Sequence, residues 1–137
     1  MATKNTFSPH ATAHENQIEH QSYVEAAQMA YGIAREYLPL YTHAKSPHHF
    51  TFQQLGAIAL LRRVTRLSYR EMQRYLIENG DIRATFKLRA VPDYSTLMRS
   101  ELKMQTQLEQ MLNNYLLQMQ AKEIPLVWVG FLGTSMR

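Results

Sequence analysis

The side chains with the most chemistry to offer are basic, and they are clustered. Between Ala57 and Lys103 the chain carries Arg62, Arg63, Arg66, Arg70, Arg74, Arg83, Lys87, Arg89, Arg99 and Lys103 against Glu71, Glu78, Asp81, Asp93 and Glu101. The surplus there exceeds the whole chain's net charge of +4, because the remaining residues are slightly acidic on balance. Such clustering predicts a polyanionic partner. Other chemistries lack their residues. With no cysteine, disulfides and thiolate metal sites are excluded, and a reducing compartment is the default. His10, His14 and His20 lie in a polar stretch without carboxylate or cysteine partners at ligand spacing. His48 and His49 are adjacent and do not share a helix face, so they read as surface residues. No nucleophile elbow, phosphate loop or dinucleotide-binding glycine pattern is present, and the chain reads as a non-enzyme that needs no cofactor.

The basic side chains must be positioned by helices. Thr51 and Gln54 form a capping box that starts a helix through Leu55, Ile58, Ala59, Leu60 and Leu61, apolar nearly all round and therefore buried. Its end carries Arg62, Arg63 and Arg66, which complement the helix dipole and outnumber what one helix end needs. Ser68 and Glu71 form a second box. The helix they start places Tyr69, Met72 and Leu76 on one face and Arg70, Gln73 and Arg74 on the other. Asn79-Gly80 is expected to end it, with Gly80 in the left-handed cap conformation. A short turn follows, capped by Asp81, with Ile82 and Phe86 inward and Arg83 and Lys87 outward.

Pro92 then breaks the chain, and Asp93 or Ser95 caps a long helix to about Lys122. Within it Met104, Leu108, Met111 and Tyr115 keep a heptad-like spacing. That stripe either packs back on an earlier helix, which runs from Gln21 to the Leu38-Pro39 boundary, or forms a dimer. Tyr23, Tyr31, Tyr37 and Tyr41 on the earlier helix read as core and rim residues. Residues 1–20 are polar, without the apolar core of a signal peptide, and read as a flexible tail that gains helix near its end. Leu126 to Val129 has a strand pattern after Pro125. The longest apolar run, Leu55 to Leu61, is far short of the ~20 residues of a membrane span. The expected architecture is an all-α helical bundle with a helix-turn-helix-like trihelical core, spanning residues 21–123, followed by a short strand over 124–137.

The trihelical core suggests how the charge is used. Its third helix opens with Tyr94, Ser95 and Thr96, with Arg99 one turn on. The N-terminal residues of a recognition helix approach base edges, where hydroxyls can bond bases or phosphates and an arginine can grip guanine or a phosphate. Arg62, Arg63, Arg66, Arg70 and Arg74 form the phosphate-facing side, and Lys103 extends it. The spacer of residues 79–93 is longer than the usual helix-turn-helix turn of ~3–4 residues. This leaves the Ile82–Leu88 piece, through Arg83 and Lys87, as a rival reader.

The segments SYREMQRYL (68–76) and VPDYSTLMR (91–99), with FTFQQLGAIALLRRVTRLSYRE (50–71) before them, resemble the N-terminal region of insertion-sequence transposases with a DDE catalytic domain. The likeness is close from Tyr41 to Lys103 and loose beyond. It implies double-stranded DNA, the terminal inverted repeats, as partner, and a cytoplasmic protein at the nucleoid. It also implies an RNase-H-like sheet after the helices, with the first metal-binding aspartate on the sheet's first strand. Here that strand corresponds to Leu126–Val129, but no carboxylate follows Glu123, and Gly130 or Leu132 stands where the aspartate falls. Two-metal strand transfer, for which the full-length family uses a divalent ion such as magnesium, needs those carboxylates. The expectation is thus a targeting portion without the cutting machinery, truncated before the catalytic domain. The alternative is a helical interaction module, a homodimer or a mixed oligomer that modulates a full-length transposase.

Overall fold

The computed structural model describes residues 13–41 and 49–121, with side chains from residue 20 onward. The described residues are all-α, as expected. They form α1 (Ala13–Tyr37), α2 (Phe52–Thr65), α3 (Tyr69–Glu78), α4 (Gly80–Thr85), α5 (Tyr94–Lys103) and α6 (Gln105–Ala121). The expected strand at 124–137 lies outside the described residues.

The helix starts follow the capping chemistry. Thr51 accepts from the Gln54 amide at 2.9 Å, and the Gln54 side chain accepts from the Thr51 amide at 2.9 Å. Ser68 and Glu71 make the same reciprocal pair at 3.1 and 2.8 Å. Each satisfies two amides that a helix start leaves without intrahelical partners. Asp93 caps α5 by accepting from the Ser95 amide at 3.0 Å.

The helix ends differ from expectation. Gly80 is not left-handed; it is the first residue of α4. The left-handed positions are Arg66 (φ 62°) and Lys87 (φ 57°). Both sit where a chain leaves a helix: Leu67 N–H bonds Arg62 C=O at 3.2 Å, and Leu88 N–H bonds Arg83 C=O at 2.9 Å. These are Schellman-type closures, each followed by a leucine that turns back to the core. The end of α3 is closed by a side chain instead. Arg83 donates through Nη1 to the carbonyls of Leu76 and Ile77, each at 2.6 Å. This occupies the arginine that the rival reading turns toward a groove. Because a left-handed side chain is disfavoured relative to glycine, Arg66→Gly and Lys87→Gly should each raise the unfolding free energy by about 0.5–1 kcal/mol. Urea denaturation at neutral pH measures this, and a loss of stability in both variants would sink the idea.

Two boundaries also move. The helix expected from Gln21 begins at Ala13, so the helix at the end of the 1–20 stretch is continuous with α1. His20 at its eighth position meets the Asp81 carboxylate of α4. The long helix expected from Asp93 or Ser95 to Lys122 is two helices, broken at Met104 (φ −125°, ψ 23°). No proline or glycine causes the break. Both α5 and α6 pack against α2, and Met104 between them is fully buried.

The core lies between α1, α2 and α6 and takes in Met72 and Leu76 of α3, Ile82 of α4 and Leu97 of α5. α1 packs most extensively on α2, and also on α4 and α6. Ala27, Ala30, Ile33 and Ala34 of α1 and Ile58, Leu60 and Leu61 of α2 are buried in one apolar cluster, and Ala34 and Leu38 come nearest to Gly56 of α2. The heptad-like residues Met104, Leu108, Met111 and Tyr115 are buried in this same core. Asn114 of α6 donates to the Tyr37 hydroxyl of α1 at 3.0 Å. Within one chain, then, the stripe packs back on α1. The tyrosines are core and rim residues: Tyr23 meets Tyr75 edge-on at 5.3 Å, and Tyr31 meets Phe86 at 6.1 Å.

Candidate nucleic-acid interface

Three residues, Arg66-Leu67-Ser68, turn the chain from α2 into α3. α3 then leaves α2 and packs on α4 and α5, while α5 packs on both α2 and α3. The inward side of α3 is Met72, Tyr75 and Leu76, all buried. Its outward side therefore presents Arg70, Arg74 and Ile77, which recur at i, i+4 and i+7 and are all exposed.

The start of α5 lies beside this face. The Tyr94 amide donates to Gln73 Oε1 at 3.0 Å, so a side chain of α3 satisfies a terminal amide of α5. The Arg70 guanidinium stacks over the Tyr94 ring, 3.9 Å from its centre, and donates through Nη2 to the Tyr94 hydroxyl at 2.8 Å. Asp93 caps the same turn. The Ser95 hydroxyl bonded to it, then the Ser95 amide, hold its carboxyl below the usual carboxylate range. Thr96 is half-buried and accepts from Arg99 Nη2 at 3.5 Å. Arg99 and Lys103 are exposed along the rest of α5.

The remaining basic candidates divide. Arg66 is exposed in the turn. Arg62 points inward and is held by protein groups. Its Nε and Nη2 grip Glu101 of α5 at 2.6 and 2.8 Å, and its Nη1 donates to the Leu67 carbonyl at 3.1 Å. Tyr69 completes the cluster: its ring lies 4.1 Å under the guanidinium, and its hydroxyl donates to Glu101 Oε1 at 3.1 Å. The bond to Glu101 pushes the Arg62 pKa above its ordinary value even though burial opposes it. Burial, and next the charge of Glu101, raise the Tyr69 hydroxyl. Arg63 is drawn to the same side, 3.9 Å from Glu101 and 4.0 Å from Glu109. Arg62 is thus a structural cation, not part of an outward phosphate-facing row, and Arg63 sits at that row's edge beside two carboxylates.

Glu101 is the residue that reading along the chain passed over. Its signal is there. Leu97, Ser100, Glu101 and Met104 follow the i, i+3, i+4, i+7 spacing of an inward stripe, and a carboxylate on such a stripe needs a buried cation.

Among the described residues no group of three or more His, Asp or Glu side chains is placed to hold a metal ion. An open groove between α1, the end of α2 and α6 is lined by Tyr23, Ala26, Met29, Val64, Tyr115 and Met119, with Glu25 at its rim. It is mainly apolar and brings together no acid–base pair. No helix of the described residues is long and apolar enough to cross a membrane. No protein-family model, curated protein or solved structure matches the chain.

Proposed function

We propose that the chain is the DNA-binding portion of an insertion-sequence transposase, recognising double-stranded terminal inverted repeats and performing no chemistry of its own. The observation that carries this reading is the exposed α3–α5 face, where Arg70 and Arg74 stand beside the capped start of α5 and Arg99. Exposed cations gathered on one face suit a phosphate backbone and the groove beside it. The sequence likeness over Tyr41 to Lys103 supplies the biological context, and a site at the bacterial nucleoid follows from it.

Fluorescence anisotropy with a random-sequence duplex of about 20 base pairs tests the DNA-binding claim. Binding of roughly micromolar strength at low salt should weaken linearly on logarithmic axes as salt rises. The double variant Arg74→Ala/Arg99→Ala should flatten that slope by about two, one for each phosphate contact removed. Absence of binding at low salt, or an unchanged slope in the double variant, would count against this face.

A second reading is favoured by α6, whose Leu116 and Leu117 are 43% and 56% exposed. On this reading the chain is an interaction module that pairs with its own copy or with a full-length transposase. Light scattering distinguishes the two readings, since a monomer at high concentration that still binds duplex supports the first alone.

A further inference from the structure

The α3–α5 face holds one arginine whose geometry differs from the rest. Arg70 lies in the first turn of α3, and α3 follows α2 after three residues. This matches the ~3–4-residue turn of a helix-turn-helix, whose second helix enters the major groove with its N-terminal residues near the base edges. By that rule the reading helix is α3, and α5, fifteen residues further along the chain (79–93), is its support.

The stack on Tyr94 then defines what Arg70 can do. An arginine side chain is long, and binding normally costs it much rotamer freedom. Here the guanidinium is held by two contacts with one side chain, its carbon 3.9 Å from the centre of the Tyr94 ring and its Nη2 donating to the Tyr94 hydroxyl at 2.8 Å. Tyr94 is itself half-buried, with its backbone tied to Gln73. Arg70 nevertheless remains exposed, so the flat fork is fixed in direction and open to a ligand. A fixed fork matches the two acceptors of guanine, O6 and N7, on the major-groove edge. Such a fork also suits two phosphate oxygens, and what favours guanine is its place in the first turn of α3, where a reading helix brings its side chains to the base edges. Arg74, one turn on and equally exposed, has the character of a phosphate contact. Ile77, 55% exposed on the same face, offers apolar contact of the kind that thymine methyl groups accept.

We propose that Arg70 is the specificity-determining residue of this face, reading a guanine in the major groove, and that Tyr94 is its positioning residue. The inference rests on the reading of the chain as a duplex-DNA binder.

Selection of bound duplexes from a randomised library by the full chain, followed by affinity measurements on single-base variants, tests it. The selected duplexes should share a guanine whose replacement weakens binding about tenfold or more. Arg70→Ala should abolish discrimination at that position and Arg70→Lys should weaken it, both leaving the other positions unchanged, since lysine keeps the charge and lacks the fork. Tyr94→Phe, which keeps the ring, should retain most of the discrimination, whereas Tyr94→Leu should lose it with Arg70 still present. Circular dichroism of each variant confirms that the fold is kept, and the surface position of Arg70 leaves its lysine variant as the safe comparison. The proposal is overturned if Arg70→Ala weakens all sequences alike and flattens the salt slope by about one, which marks a phosphate contact. It is also overturned if the wild-type chain binds duplexes without base preference. A wild-type chain that binds no duplex at all overturns the underlying function along with it.

Discussion

Replacing Glu101 with leucine should lower the unfolding free energy by about 3–5 kcal/mol, the range for breaking a buried ion pair from one side. Glu101 is 5% exposed, and the Arg62 side chain retains 15% exposure. The substitution leaves the guanidinium where it is and removes the acceptor of two of its three hydrogen bonds. It also deprives the Tyr69 hydroxyl of its partner. The cost arises from an uncompensated cation, and the double variant Arg62→Leu/Glu101→Leu should therefore recover most of the loss. Urea denaturation of the wild type, both single variants and the double variant measures the coupling. A single-variant loss under ~1 kcal/mol would mean that the pair behaves as a surface pair. A double variant as unstable as Glu101→Leu would mean that packing, not charge, is responsible. The pair should show no pH dependence near neutrality. A raised arginine pKa stabilises fully at all pH values below the unfolded one and is lost only as pH climbs through the folded value, far into the alkaline range.

That ion pair also marks the boundary of what local sequence logic can reach. Capping boxes are complete within four residues, so Thr51–Gln54 and Ser68–Glu71 are readable directly and occur as read. The i, i+4, i+7 rule is equally local, and it placed Arg70 and Arg74 on the outer side of α3. The dipole argument for Arg62 is local too, but its strongest partner stands 39 residues away. No propensity encodes a contact of that range. The break at Met104 is equally silent in the sequence, since no helix-breaking residue lies near it. Gly80 shows the converse failure. A glycine after an asparagine is a good left-handed cap in isolation, yet Arg83 closes α3 through its side chain, and Gly80 is released to begin α4. The stacked Arg70–Tyr94 pair was legible only as two separate candidates. Their meeting depends on α5 packing against α3, with Gln73 holding its first amide.

Two of the helical glycines, Gly56 and Gly32, should respond in opposite directions. Gly56 is buried in α2 against α1, and a Cβ added there would stand 2.1 Å from Leu38 Cδ1 and 3.7 Å from Ala34 Cβ. Leu38 is 4% exposed and has little room to withdraw. Gly56→Val, which adds branching at the same place, should cost about 3 kcal/mol through overpacking. Gly56→Ala should cost about 1–2 kcal/mol, because the gain in helix propensity, ~1 kcal/mol, offsets part of the clash. Gly32 lies exposed in the middle of α1, and an added Cβ meets nothing within 4 Å. Gly32→Ala should therefore stabilise by about 0.5–1 kcal/mol, from propensity alone. Thermal and urea denaturation of the three variants at neutral pH decide the matter, and their signs matter more than their sizes. If Gly56→Ala stabilised the chain as Gly32→Ala does, α1 and α2 would not be in close approach at Leu38. The packing that carries the rest of the bundle, including the placement of α5 through α2, would then need another basis.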